Sequence, residues 1–295
     1  MQVSQGVSHA FDEQAQAVSL RGDCLASLRS IPDESIQLVV TSPPYNIGKD
    51  YEDVVSIDEY LAFQRKVIAE CVRILKPDGN ICWQVGFTKT GKEIVPLDVL
   101  FYPLFKEFGL FLRNRIVWTF GHGPPIKNRF NGRHETVLWF AKSEDSLFEV
   151  DAVRVPQKYP GKRHYRGPNK GQYSGHRMGK NPGDVWDIPN VKAHHPEKTD
   201  HQCQFPIALV QRLVRALTAE GDWVLDPFSG VGSAACAAII EGRRGIGCEL
   251  LGSYADIAES RMALALEKKL PYRDIDKPIQ TPDSKSGVGR RIEGD

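Results

Sequence analysis

The sequence lacks three features that would each commit it to a particular environment. None of its apolar runs approaches the roughly 20 residues that a membrane-spanning helix needs. The segment from Met1 to Ala17 is polar and has no apolar signal-peptide core. The six cysteines include no Cys-x-x-Cys pair, which argues against a zinc site or a disulfide framework. This cysteine usage favours a reducing compartment, and we expect a cytoplasmic protein.

Acidic residues are missing from two long stretches, although the whole chain is nearly balanced, with 38 Lys and Arg and 37 Asp and Glu. These stretches are residues 108–134 and 152–183. Their basic residues include Lys127, Arg129, Arg133, Lys158, Lys162, Arg163, Arg166, Lys170, Arg177 and Lys180. Such segregation of charge predicts a basic face that binds nucleic-acid phosphates. A solvated basic loop is the alternative.

The most informative motif present is Ser42-Pro43-Pro44-Tyr45, which follows the apolar run at 36–41. The run predicts a buried parallel strand, and the prolines end it because each lacks an N–H group and restricts its predecessor. Ligands bind at the carboxyl edge of such sheets. There the Ser42 hydroxyl, the Pro43 carbonyl and the Tyr45 ring would suit a planar group that carries an NH2. A Pro-rich turn without a ligand is the alternative.

A second motif spans residues 226–233, between a predicted strand and a predicted helix. Its glycines allow close approach of the backbone to a ligand, and Glu249 follows at the end of the next strand, where a carboxylate commonly accepts from ribose hydroxyls. Asp226 would repel a pyrophosphate but attract the ammonium group of S-adenosylmethionine, which favours this methyl donor over NAD. The candidate donor-binding residues here are Asp226, Phe228, Ser229, Gly230, Gly232, Ser233 and Glu249. A tight turn with an incidental acid is the alternative.

Together these motifs resemble the beta class of DNA amino-methyltransferases, which methylate N4 of cytosine or N6 of adenine. The hook, Ser42 to Tyr45, is similar to the family's catalytic motif. It precedes the glycine loop, as in the permuted motif order of this class. The Ser-Pro-Pro-Tyr form resembles the cytosine-N4 branch, whereas the adenine branch more often has Asp or Asn before the prolines. The resemblance covers about residues 18–268.

The resemblance implies further roles for single residues. Asp23 would bind the adenine amino group of the donor, although a turn Asp is the alternative. Thr199 and Phe205 would line the methionine end, but the family's Pro is replaced here by Gln202. A flipped-out base would stack on Tyr45 while its amino hydrogens are accepted by the hook. Cytosine-C5 enzymes use a Pro-Cys-Gln motif that the chain lacks, so Cys203 is expected to be inert.

The implied fold is α/β: a Rossmann-like S-adenosylmethionine-dependent methyltransferase with a mostly parallel seven-stranded sheet, helices on both faces, permuted motif order and an irregular recognition insert. The sequence predicts an antiparallel strand pair at 115–120 and 136–141. We expect a catalytic half at 1–121, a target-recognition insert at 122–192, a donor-binding half at 193–270 and a disordered tail at 271–295.

The implied substrate is a cytosine in double-stranded DNA, with adenine as the alternative target. A homodimer, a paired restriction endonuclease and association with the nucleoid stay open at this point. Two rival functions also stay open. One is an NAD-dependent oxidoreductase, and the other is a DNA-binding protein without catalytic activity.

Overall fold

The apolar runs of the sequence form the strands of one large sheet in the computed structural model, which describes residues 6–49, 51–121, 123 and 125–277. The strands are β1 (Val7–Ser8), β2 (Ala17–Arg21), β3 (Ile36–Thr41), β4 (Leu75–Val85), β5 (Phe87–Thr90), β6 (Glu93–Pro96), β7 (Phe111–Thr119), β8 (His134–Ala141), β9 (Val185–Asp187), β10 (Trp223–Asp226) and β11 (Arg244–Glu249). The helices are α1 (Cys24–Arg29), α2 (Ile57–Ile74), α3 (Leu97–Glu107), α4 (Ile207–Leu217), α5 (Ser233–Ile240) and α6 (Gly252–Leu266).

The strand order of the large sheet is β1-β2-β11-β10-β3-β4-β8-β7-β9. Neighbours from β1 to β4 run parallel, whereas β8 runs antiparallel to both β4 and β7. The seven expected strands are therefore present, and one short strand, β1 or β9, extends each edge of the described sheet. The predicted antiparallel strand pair is confirmed as β7 and β8. Strands β5 and β6 form a separate antiparallel pair.

Side chains of the central strands alternate between two apolar layers, as the two-residue period of a strand requires. Leu38 and Val40 of β3 pack in the layer that contains α4 and α5, while Val39 packs in the layer that contains α2 and α3. In β8, Trp139 and Phe140 divide in the same way. Helices therefore cover both faces, which confirms the predicted fold class.

Helix ends follow the sequence signals closely. Ser56 and Glu59 form the predicted capping box at the start of α2, each side chain accepting a hydrogen bond from the other residue's backbone N–H. Gly109, with φ of 72°, follows the end of α3. In the part of the chain that the structure describes, no helix combines the length and apolar character needed to cross a membrane.

Tertiary contacts cross one of the domain boundaries that the sequence predicts. Strand β8 lies within the predicted insert at 122–192, yet it pairs with β4 and β7 in the sheet. The irregular stretch outside the sheet is therefore 142–184, where only a short 3-10 helix (Val150–Val153) and isolated bridges occur.

The first residues of the predicted disordered tail, 271–277, are among those that the structure describes. Arg273 N donates to buried Glu197 Oε1 over 3.1 Å, and Ile275 N donates to Gln211 Oε1 over 3.1 Å. These two side chains satisfy backbone donors of this segment. The rest of the predicted tail, 278–295, lies outside the described residues.

Candidate active site

The carboxyl ends of β2, β11, β10, β3 and β4 meet at one edge of the sheet, where they border a cleft of about 1080 Å³. Because β8 runs antiparallel, its first residues lie at the same edge. The predicted residues that line the cleft are Asp23, Ser42, Pro43, Pro44, Tyr45, Phe205, Phe228, Ser229, Gly230, Ser233 and Glu249. The fold thus brings together two motifs that lie nearly 190 residues apart in the chain.

Hydrogen bonds with residues later in the chain hold the hook and the residue after it in place. Tyr60 Oη of α2 donates a hydrogen bond to the Pro44 carbonyl over 2.7 Å. Asn46, with φ of 59°, donates its backbone N–H to Glu52 Oε2 over 2.7 Å. The Pro44 carbonyl therefore already has a hydrogen-bond partner, whereas Pro44 itself lines the cleft together with Ser42 and Pro43.

Tyr45 belongs to a polar cluster that sequence reasoning missed. Its hydroxyl donates to Glu135 Oε2 over 3.2 Å and accepts from Ser42 Oγ over 3.3 Å. Gln84 Nε2 also donates to Glu135 Oε2. Burial raises the pKa of Glu135, and burial together with the Glu135 charge raises the pKa of Tyr45 well above its usual value. Glu135 and Gln84 both line the cleft.

Asp226 lies beneath the glycine loop rather than in the cleft wall, and it is fully buried. Its Oδ1 accepts from Thr41 Oγ1 over 2.5 Å and from Phe228 N over 2.9 Å. Its Oδ2 has no hydrogen-bond partner among the described residues. Burial raises the pKa of Asp226 to about 7.

Glu249 binds the glycine loop directly. Its Oε2 accepts from Gly230 N and its Oε1 accepts from Leu251 N, both over 2.8 Å. Gly230 has φ of 52°, and a Cβ at this position would lie 3.0 Å from His201 Nε2. A side chain at 230 would therefore be strained and crowded, which explains the glycine. Burial raises the pKa of Glu249.

A cluster of three aromatic rings includes the one, His201, that lies against this loop. The His201 ring stacks on Tyr51, with centroids 5.5 Å apart, and lies 4.6 Å from the Tyr254 ring. Burial lowers the pKa of His201 to about 4, so this imidazole is neutral at pH 7. All three residues line the cleft but come from separate segments, so no local pattern in the sequence connects them.

The remaining predicted donor-binding residues lie around the cleft with structural contacts of their own. Asp23 is at the rim, where its Oδ1 accepts from Ala26 N over 3.0 Å and caps α1. Thr199 is behind the wall and donates to Gln204 Oε1 over 2.8 Å. Gly232, with φ of 77°, is the N-cap residue of α5. Ser233 Oγ accepts from buried Arg261 over 3.3 Å.

The ten predicted basic residues lie outside the cleft lining. All except half-buried Arg133 are exposed, and none forms an ion pair with a described acidic residue. Arg163 lies over the exposed Tyr173 ring, 4.2 Å from its centroid. On the loop after β7, Phe130 is 97% exposed, and this aromatic was not singled out from the sequence.

Comparisons with known proteins agree with this geometry. A family model described as DNA methylase, of the N6/N4 methyltransferase type, matches residues 36–260. The chain is 46% identical over 253 residues to the Type II methyltransferase M.BglII of Bacillus subtilis, covering 85% of this chain and 70% of that protein. It is 32% identical over 261 residues to the DNA adenine methyltransferase YhdJ of Escherichia coli K12, covering 86% and 85%.

Solved structures share the fold. One is described as a DNA modification methylase of Thermus thermophilus complexed with S-adenosyl-L-methionine. It is 28% identical, with a TM-score of 0.57 over 84% of this chain and 95% of that chain. The cytosine-N4-specific PvuII DNA methyltransferase has a TM-score of 0.63 at 22% identity, over 92% and 97%. At that identity the likeness concerns the fold alone.

Removing the Thr41 hydroxyl tests the contact between the two motifs. Thr41→Val keeps the shape of the side chain but leaves Asp226 Oδ1 without this buried donor, so we expect the free energy of unfolding to fall by about 1–3 kcal/mol. Urea denaturation measures this change. Thr41→Ser keeps the hydroxyl and should lose less. A Thr41→Val protein as stable as the wild type would contradict the assigned contact.

Proposed function

The chain belongs to the N6/N4 family of DNA methylases, and from this premise we propose that its target is the exocyclic N4 of a flipped-out cytosine in double-stranded DNA. The enzyme is an S-adenosylmethionine-dependent DNA methyltransferase. The observation that supports methyl transfer to a base amino group is the meeting of the Ser42 hook with the glycine loop in one cleft. A pocket for a planar amine next to a pocket for a methyl donor is the arrangement that direct transfer requires.

The donor pocket fits S-adenosylmethionine by its polar groups. Asp226 Oδ2 is a buried carboxylate oxygen without a partner among the described residues, and a cationic ammonium group would compensate it. Glu249 keeps free lone pairs beside its two backbone donors, which suits ribose hydroxyls. The bound donor supplies an electrophilic methyl group on a sulfonium. We propose that Asp23, Phe205, Phe228, Ser229, Gly230 and Ser233 complete this pocket, with Thr199 and Gly232 supporting its wall.

The hook provides what a poor nucleophile needs. The lone pair of a base amino group is delocalised into the ring, and the base must first leave the duplex at a cost of a few kcal/mol. We infer that Tyr45 stacks on the extruded base while Ser42 Oγ and the Pro43 carbonyl accept the two amino hydrogens. As these bonds form, the nitrogen lone pair localises and can attack in line. Positioning and these acceptors supply the rate.

The choice of base rests on Ser42. The Ser-Pro-Pro-Tyr form of the hook resembles that of the cytosine-N4 branch, and for that reason we favour cytosine. Adenine-N6 is the second candidate, because the DNA adenine methyltransferase YhdJ is a relative at 32% identity. The two acceptors would serve either amino group. Analysis of the methylated product distinguishes the two bases.

We assign DNA binding to two basic segments. We propose that the loop 120–133 and the irregular stretch 142–184 form the target-recognition part, between a catalytic part that ends near 121 and a donor-binding part at 193–270. The ten predicted basic residues have no described acidic partners, so their charges are available to phosphates. We propose that Phe130, which is 97% exposed and follows Arg129, contacts bases.

Product analysis tests the function. Purified protein is incubated with duplex DNA and isotopically labelled S-adenosylmethionine, and the digested nucleosides are identified by mass spectrometry. We expect labelled N4-methylcytosine, and Ser42→Ala should lower the rate by about 100-fold because one positioned acceptor is lost. Donor affinity of this variant should stay unchanged. N6-methyladenine as the product would contradict the choice of cytosine, and a label in neither base would contradict the function.

Donor binding tests the glycine-loop assignment. Glu249→Ala removes the proposed ribose acceptor and the contact to Gly230, so we expect affinity for S-adenosylmethionine to fall by about 10- to 100-fold. Titration calorimetry measures it. Glu13→Ala removes an exposed carboxylate elsewhere and serves as the control. Equal affinities of the Glu249→Ala and control proteins would remove Glu249 from the donor site.

Salt dependence tests the basic face. Replacing Arg163 and Arg166 by Ala together should reduce the slope of log affinity against log salt by up to about 2, because each phosphate contact contributes nearly one unit. Duplex binding is measured by fluorescence anisotropy between 50 and 200 mM salt, a range of about fourfold. The control replaces Arg29 and Lys66, exposed on α1 and α2. An unchanged slope in the first variant would exclude both arginines from the interface.

A further inference from the structure

A continuous chain of hydrogen bonds leads through the hook to a half-buried carboxylate, that of Glu135. Ser42 Oγ donates to Tyr45 Oη over 3.3 Å, and Tyr45 Oη donates to Glu135 Oε2 over 3.2 Å. The two hydrogen bonds are donated in sequence, from Ser42 to Tyr45 and from Tyr45 to Glu135. Gln84 Nε2 donates to the same oxygen from the neighbouring strand β4 and fixes its position.

Glu135 has the surroundings of a group that can take up a proton. No described Lys, Arg or His forms an ion pair with it, and its hydrogen bonds come from two neutral side chains. Glu135 packs closely against Gly86, because a Cβ at position 86 would lie 3.3 Å from Glu135 Oε1. Burial raises the pKa of its carboxyl group, which favours the protonated form. The residue also lines the cleft, so solvent can reach it when the cleft is empty.

Amino methylation leaves a proton to be removed. When the nitrogen–methyl bond forms and the sulfur–methyl bond breaks, the bond's electron pair stays on sulfur and the nitrogen becomes positively charged. That nitrogen still carries both of its original hydrogens. One proton must leave to give the neutral methylated base. The Pro43 carbonyl is too weak a base to keep it, and Ser42 can only pass it on.

We propose that Glu135 is the final proton acceptor of a relay through Ser42 and Tyr45, a proposal that rests on the function proposed above. The nitrogen gives a proton to Ser42 Oγ, Ser42 gives its own to Tyr45 Oη, and Tyr45 gives its own to Glu135. One methyl group moves from sulfur to nitrogen and one proton moves from nitrogen to the carboxylate, with no net oxidation. The acid returns its proton to water after the product leaves.

The relay leaves the stacking role of Tyr45 intact, because the hydroxyl lies at the edge of the ring and stacking uses its face. The same chain would serve a cytosine or an adenine amino group. It also gives the tyrosine of the hook a function that phenylalanine could not perform. The two substitutions that separate these roles are therefore Glu135→Gln and Tyr45→Phe.

Single-turnover methyl transfer with purified protein tests the relay. Glu135→Gln can place its amide oxygen where Oε2 lies and accept both hydrogen bonds, but it cannot take up the proton. We expect the transfer rate to fall by about 100-fold, the usual contribution of a general base. Tyr45→Phe keeps the ring and breaks the chain, so we expect a similar fall. The double variant should be no slower than either single variant, since the groups act as a unit.

Several controls separate the relay from structural effects. Glu13→Gln alters an exposed carboxylate outside the segments assigned to the cleft and to DNA, and it should leave the rate unchanged. Donor and DNA affinities of each variant, measured by calorimetry and anisotropy, should equal those of the wild type. The wild-type rate should also be lower in heavy water than in ordinary water, and this isotope effect should change in Glu135→Gln.

Three outcomes would overturn the relay. A Glu135→Gln rate near that of the wild type would show that the carboxylate only positions Tyr45. A slow Glu135→Gln beside a normal Tyr45→Phe would show that the carboxylate acts through its charge alone. A wild-type protein that methylates no base would overturn the proposed function together with the relay, and product analysis recognises that case.

Discussion

The hydrogen bond between Thr41 and Asp226 joins the two halves of the site. Thr41 is the last residue of β3 and Asp226 the last of β10, and both side chains are fully buried. Because β3 and β10 are neighbours, the hook that begins at Ser42 and the glycine loop that begins at Pro227 start side by side. The remaining site residues are arranged around this junction. A chain with the same two motifs on distant strands would have two separate loops instead of one cleft.

Carboxylates without nearby cations define the electrostatics of the cleft. Asp226, Glu135 and Glu249 all have pKa values raised by burial, and no described basic side chain forms an ion pair with any of them. Carboxylates withdrawn from water without a positive partner are costly. In the proposed function their positive partners are the ammonium group of the donor and the amino nitrogen that gains charge during transfer. On this proposal the cleft is complementary to the charge distribution of the two bound substrates.

Local patterns predicted most of the elements and one part of the site. The run at 36–41, the capping box at Ser56 and the glycine loop each depend on residues close in sequence, and each is confirmed as a structural element. Glu135 was missed because its place depends on β8 inserting between β4 and β7. The sequence pattern predicted β8 and its pairing with β7, but not its second neighbour. The position of His201 beside Gly230 of the glycine loop could not be predicted for the same reason, because only the folded chain brings the two residues together.

Composition also gave no sign of the long-range contacts near the C-terminal end of the described residues. Residues 271–277 look like a polar tail, yet buried Glu197 and Gln211 bind their backbone. By itself the sequence determined the fold class, the motif order and the family, because these depend on residue types and their succession along the chain. Only the tertiary structure decided which side chains meet at the hook, because strand order in the sheet is a long-range property. The link from Ser42 through Tyr45 to Glu135 spans about 90 residues and arises only once β8 has paired with β4.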